Sequence, residues 1–247
     1  MLSNPRRQSA ASNLVGRIKD LTPDKEKLST PSVELIKLPF PTLSIRKPTD
    51  RFAFDTDRNW EYMPRRKFGE LLHQVEALIE QPDRASAIWL YGTIGYGKSH
   101  VLAALVCFLM KSGHRVLFLP DCRAWLDGPV RYFKQAMRLA WADDPAALRV
   151  IGGMKTLTEI TDFFETIHQR VIFVADQMNA LQTDPADPLL AIKNELRTVL
   201  YESSQEHLRV FSTSANNQSY LTLNQKQLNL IRVNTFGGMT KVIKYCP

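Results

Sequence analysis

Residues 86–91, SAIWLY, run directly into Gly92-Thr93-Ile94-Gly95-Tyr96-Gly97-Lys98-Ser99, and the chain continues through His100 into VLAALVCFLM. No other stretch constrains the fold as tightly. The first piece reads as a short buried strand, and the last is apolar nearly all round, as a buried helix is. Between them the glycine run matches G-x-x-x-x-G-K-[ST] in full, in the strand-loop-helix context that this pattern requires. Gly92 and Gly97 supply the backbone freedom for a loop that turns its N–H groups inward. Those amides, together with the N-terminus of the following helix, form a cradle for phosphates. Lys98 is expected to reach the β- and γ-phosphates of a nucleoside triphosphate, and the Ser99 hydroxyl to ligate Mg²⁺. Gly95 adds pliability that the pattern does not demand. Thr93, Ile94, Tyr96 and His100 complete the expected nucleotide-binding set.

A second element belongs with the loop. Residues 171–175, VIFVA, read as a buried strand that ends in Asp176. A carboxylate emerging at the carboxyl edge of a sheet, beside a phosphate loop, can hold the magnesium shell. Lys98, Asp176 and Gln177 form the expected catalytic set, with Ser99 and Asp176 as metal ligands. Gln177 stands where related ATPases with an added central strand place a glutamate. A glutamine cannot act as a base but can orient water. Turnover is then slow, uses another acid such as Glu195, or is absent. A fourth strand, residues 207–214, ends in the run Ser212-Thr213-Ser214-Ala215-Asn216-Asn217. Polar residues at that edge, Asn216 among them, suit a γ-phosphate sensor, and Asn216 or Asn217 equally suits a helix cap. Arg123, after the second strand in the run Pro120-Asp121-Cys122-Arg123, falls at the same sheet edge, although an exposed surface arginine is the commoner case.

Elsewhere the pattern alternates. Helices are expected over 66–81, 99–112, 130–141, 157–167 and 189–201, and strands over 86–91, 115–119, 171–175, 207–214 and 228–233. Strands alternating with helices imply a parallel sheet between helical layers. The expected fold class is therefore α/β, a three-layer P-loop NTPase with a parallel central sheet and an irregular N-terminal arm. The arm spans 1–60, where six prolines punctuate short polar stretches around one extended piece, 33–38. The NTPase domain spans 61–247. The basic, acid-free segment 1–19 reads as a disordered tail rather than a presequence, and it lacks the apolar centre of a secretory signal.

Composition narrows the classes further. No apolar run approaches the roughly 20 residues of a membrane span, so a soluble and intracellular chain is expected. The net charge of +7 is spread along the 247 residues, without a basic stripe interleaved with aromatics. DNA is a conceivable partner on that charge. The three cysteines, Cys107, Cys122 and Cys246, fit neither a disulfide framework nor a zinc site. The five histidines show no ligand spacing.

Taken together, YGTIGYGKSH, FLPDCRAWL, FVADQMNAL and FSTSANN resemble the P-loop ATPase domain of Crinkler-type effector proteins of fungi and oomycetes, similar in turn to retrotransposon-hot-spot proteins. The resemblance covers roughly residues 60–240. It implies ATP rather than GTP, a Gln after the Walker B acid as a normal feature, and a strand inserted between the Walker A and Walker B strands. It also implies a nucleotide-driven switch for a partner or an attached effector domain, in proteins that can be secreted or act in host cells. After Phe236-Gly237-Gly238 little chain remains, so an incomplete C-terminal lid is expected. Two other functions fit the residues, a non-hydrolysing nucleotide-bound scaffold and a DNA-associated ATPase.

Overall fold

A computed structural model describes residues 5–44, 51–81, 87–92, 95, 97–214 and 230–234. The N-terminal segment is more ordered than its prolines suggest. Helix α1 spans Pro5–Lys19, not a disordered tail. Ala11, Leu14 and Ile18 fall on one face of it and are buried. Pro5 opens the helix, a position where a missing N–H removes no hydrogen bond. A short helix α2, Lys25–Ser29, follows, capped by the Asp24 side chain. The extended piece expected at 33–38 is strand β1, Ile36–Pro39, paired antiparallel with β2, Asn59–Tyr62. Val33 and Leu35 precede it on the surface. Among the described residues, the segment is irregular only between these pieces.

The rest alternates as expected. Helix α3, Arg66–Ile79, leads to β3, Ala87–Gly92, and then to α4, Lys98–Lys111. Strand β4, Val116–Leu119, precedes α5, Cys122–Trp125, and α6, Pro129–Ala140. The polar run at 143–145 leads into α7, Pro145–Gly153, between the two helices expected from the sequence. The Asp144 carboxylate accepts from the N–H groups of Ala146 and Ala147, both at 2.9 Å, and Pro145 takes the first helical position. Helix α8, Leu157–Glu165, carries a Thr156–Glu159 capping box. Strand β5, Ile172–Ala175, a 3-10 turn at Met178–Leu181, helix α9, Leu190–Ser203, strand β6, Leu208–Ser214, and strand β7, Leu230–Asn234, complete the order.

Strands β3 to β7 form one sheet in the order β4-β5-β6-β3-β7, with every neighbouring pair parallel. Such strands are apolar on both faces because helices cover both. Ile88, Leu90, Phe118, Val174 and Val210 face α3, α4 and the N-terminal segment. Trp89, Leu117, Leu119, Phe173 and Phe211 face α5 to α9. The first cluster is continuous with Ile18, Leu38, Phe40, Phe52 and Trp60, so these parts of the N-terminal segment pack as part of the core rather than trail from it. Cys107 is buried, and its Sγ donates to the Pro39 carbonyl at 3.2 Å. Among the described residues no helix is long and apolar enough to cross a membrane.

An aromatic column fixes the N-terminal segment to α4 and α3. Phe52 stacks on His100 with centroids 4.5 Å apart and meets Trp60 edge-on at 5.3 Å. Trp60 in turn contacts Tyr62 at 5.7 Å, and Tyr62 contacts Phe68 at 6.1 Å. Below the column, the Asp55 carboxylate accepts from the N–H groups of Asp57 and Asn59, closing a tight loop. The residue before Phe52 is thereby carried to the amino end of α4.

Candidate functional site

The sheet order decides where the chemistry gathers. Gly92 ends β3, Asp176 follows β5, Asp121 lies two residues beyond β4, and Ser212 lies near the end of β6. In a parallel sheet all of these emerge at the carboxyl edge. Register brings them level: Leu119 pairs with Ala175, Ala175 with Phe211, and Gly92 with Ser214. Two backbone bonds lash the acidic corner together, Asp176 N–H to the Leu119 carbonyl at 2.9 Å and Cys122 N–H to the Asp176 carbonyl at 3.1 Å.

Within the loop, Gly95 and Gly97 take left-handed φ values of 87° and 72°. Gly97 is the N-cap of α4. A Cβ there would also collide with Nη1 of Arg65, whose guanidinium lies 5.8 Å over the Tyr62 ring and whose Nε donates to the Met63 carbonyl at 3.1 Å. Lys98 and Ser99 are buried in the first turn of α4. Burial pushes the Lys98 ammonium pKa down, Asp176 pulls it up, and Arg51 pushes it further down. Thr93, Ile94, Tyr96 and Asn216 lie outside the described residues.

Asp176 is buried and held on both oxygens. Its Oδ1 accepts from the Gln177 N–H at 2.8 Å and from the Ser212 hydroxyl. Its Oδ2 accepts from Arg51 Nη1 at 3.2 Å, and the same Nη1 donates to Ser99 Oγ at 2.7 Å. Arg51 Nη2 stands 3.5 Å from Asp121 Oδ2. Asp121 also receives a two-pronged contact from Arg123, with Nε and Nη2 at 3.0 and 3.1 Å. Arg123 therefore braces an acid of the site. Gln177 has a left-handed backbone, φ 63° and ψ 41°, which turns the chain from β5 into the 3-10 turn.

Not every expected residue is drawn in. His100 packs against Phe52 and Trp60, and burial, reinforced by Arg65 and Arg51, pushes its pKa down to about 4. It is a neutral ring joining α4 to the N-terminal segment. Glu195 is an exposed residue of α9. The sequence pattern did not reveal Arg51 or Asp121. Ser212 belongs to the polar strand end expected at this edge, and its hydroxyl donates to Asp176.

The Ser99 hydroxyl and the Asp176 carboxylate both accept from one guanidinium nitrogen, so their lone pairs converge on a single cation position. A hydroxyl and carboxylates are the hard oxygen donors that Mg²⁺ takes together with nucleotide phosphates. The residues present fit that ion.

A parallel sheet in which β6 separates the loop-bearing β3 from the acid-bearing β5, with Gly-Lys-Ser opening the next helix, is a P-loop NTPase fold. No protein-family model matches the sequence, and no curated protein matches it. Among solved structures it is similar to Drosophila ORC bound to DNA, with TM-score 0.41, 17% identity, and 68% of this chain and 42% of that chain covered. It is likewise similar to AMPPCP-bound DnaA from Aquifex aeolicus, with TM-score 0.39, 16% identity, and coverage of 67% and 44%. Aeropyrum pernix ORC2 gives TM-score 0.41, 12% identity, and coverage of 69% and 46%. The chain spans less than half the length of each.

Proposed function

We propose that this chain binds ATP with Mg²⁺ through residues 92–99 and hydrolyses it slowly. We further propose that it serves as a nucleotide-driven switch for a partner or attached domain, as the resemblance to Crinkler-type modules implies. One observation carries the reading: Ser99 Oγ and Asp176 Oδ2 converge on one cation position beside Lys98. In this reading the loop N–H groups and the amino end of α4 hold the phosphates, and Lys98 neutralises the β- and γ-oxygens. Ser99 and Asp176 would hold Mg²⁺, which supplies charge neutralisation at the γ-phosphate when bound. Ser212 and the Gln177 N–H keep the Asp176 carboxylate aimed. The Gln177 side chain, next to Asp176, orients the attacking water without accepting its proton.

Steady-state phosphate release by wild type and Gln177→Ala tests the turnover step. A drop of about 100-fold in the variant is the size expected when the attacking water is no longer positioned. Equal, background-level rates in both would remove Gln177 from catalysis and leave the non-hydrolysing scaffold as the reading. The net charge of +7 favours a second reading, a DNA-associated ATPase. Stimulation of turnover by DNA that fades steeply with salt would support it, because phosphate contacts release counterions.

A further inference from the structure

Arg51 comes from the N-terminal segment, far along the chain from both groups it joins, and Phe52 beside it is anchored on His100 and Trp60. Its Nη1 donates to Ser99 Oγ at 2.7 Å and to Asp176 Oδ2 at 3.2 Å, and Nη2 reaches toward Asp121 Oδ2 at 3.5 Å. The lone pairs engaged by Nη1 are the ones a divalent cation needs. A guanidinium and Mg²⁺ cannot share them, since both are cations and each oxygen must turn toward one or the other.

We propose that Arg51 is a tethered competitor of the divalent cation, holding the metal position closed until Mg²⁺-nucleotide displaces its side chain. The inference rests on the nucleotide-binding reading above. Asp121 gives the device its other half. It already carries Arg123 in a two-pronged contact, so its charge stays compensated when Arg51 leaves. Asp176 keeps Ser212 and the Gln177 N–H in the same event. The acids thus tolerate departure of the guanidinium. The apparent affinity for Mg²⁺-nucleotide is lowered by the fraction of molecules in which Arg51 is in place.

The test measures equilibrium binding of a fluorescent ATP analogue to the full chain, wild type and Arg51→Gln, in Mg²⁺ and in EDTA. Arg51→Gln is expected to bind about tenfold more tightly in Mg²⁺, the change produced when a form populated at about one part in ten becomes dominant. Binding in EDTA is expected to stay unchanged. Equal or weaker binding by the variant in Mg²⁺ overturns the proposal and makes Arg51 a phosphate ligand or a structural brace. Binding by neither protein overturns the nucleotide reading itself, whereas binding by the variant alone supports the competitor in its strongest form. A readout on the unaltered chain runs in parallel. Labelling of Arg51 by phenylglyoxal, followed by peptide mass spectrometry, is expected to rise several-fold when Mg²⁺-ATP is added. Protection of Arg51 by Mg²⁺-ATP contradicts displacement.

Discussion

Replacing Gly97 by alanine tests the link between the loop and the N-terminal segment without any nucleotide. Gly97 has φ 72°, and an alanine there suffers the left-handed penalty of about 1–2 kcal/mol. Its Cβ also takes the place of Arg65 Nη1. The guanidinium can swing away, but it then gives up its seat over Tyr62, worth about 0.5–1 kcal/mol, and the Nε bond to the Met63 carbonyl, worth about 1 kcal/mol. Alanine restricts the unfolded chain and returns roughly 0.5–1 kcal/mol. The net expectation for Gly97→Ala is a loss of about 2 kcal/mol. In an Arg65→Ala background the collision is gone and the loss falls to about 0.5–1 kcal/mol, since only strain remains. Urea unfolding of wild type, both single variants and the double variant, in EDTA, gives the coupling directly. An equal cost for Gly97→Ala in both backgrounds would show that Arg65 does not occupy the space beside Gly97.

Two further outcomes follow from buried groups. Ser212→Ala removes a hydroxyl that donates to Asp176 Oδ1 and leaves that buried oxygen with the Gln177 N–H alone. A loss of about 1–3 kcal/mol is expected in urea unfolding, and a change under about 0.5 kcal/mol contradicts the bond. His207 stacks on Phe173 with centroids 5.5 Å apart, and burial, helped by Arg170, pushes its pKa below the ordinary 6.5. Below pH 6.5 the unfolded chain therefore binds more protons than the folded one, so stability falls as pH drops through that value. His207→Gln is expected to flatten this part of the stability–pH curve, and a slope as steep as that of wild type refutes it.

The sequence made the carboxyl edge of the sheet legible because its signals are local. A strand, a glycine loop and an apolar helix follow one another between residues 87 and 111, and Asp176 directly follows its strand. Prolines misled the reading in two places. Pro5 and Pro145 look like breaks, yet each opens a helix, where its fixed φ is already suitable and no N–H is missed. The sparse apolar face of α1, Ala11-Leu14-Ile18, was too thin a signal to outweigh its polar neighbours. Arg51 left no trace in the sequence at all. Its partners lie 48, 70 and 125 positions away, and only tertiary packing of Phe52 against α4 brings them together. The role of Asp121 is equally silent in the sequence, because it depends on the Leu119–Ala175 register across two strands.

The central claim is that the loop at the carboxyl edge of β3 holds a nucleoside triphosphate with its metal. Calorimetric titration of ATP into the full chain in excess Mg²⁺ measures this directly, with Lys98→Ala as the paired protein. Wild type is expected to give saturable one-site binding, and Lys98→Ala to lose about 1.5–3 kcal/mol of it, the worth of a charged hydrogen bond to phosphate. Identical titrations for the two proteins, or no heat from either, contradict the assignment of this site.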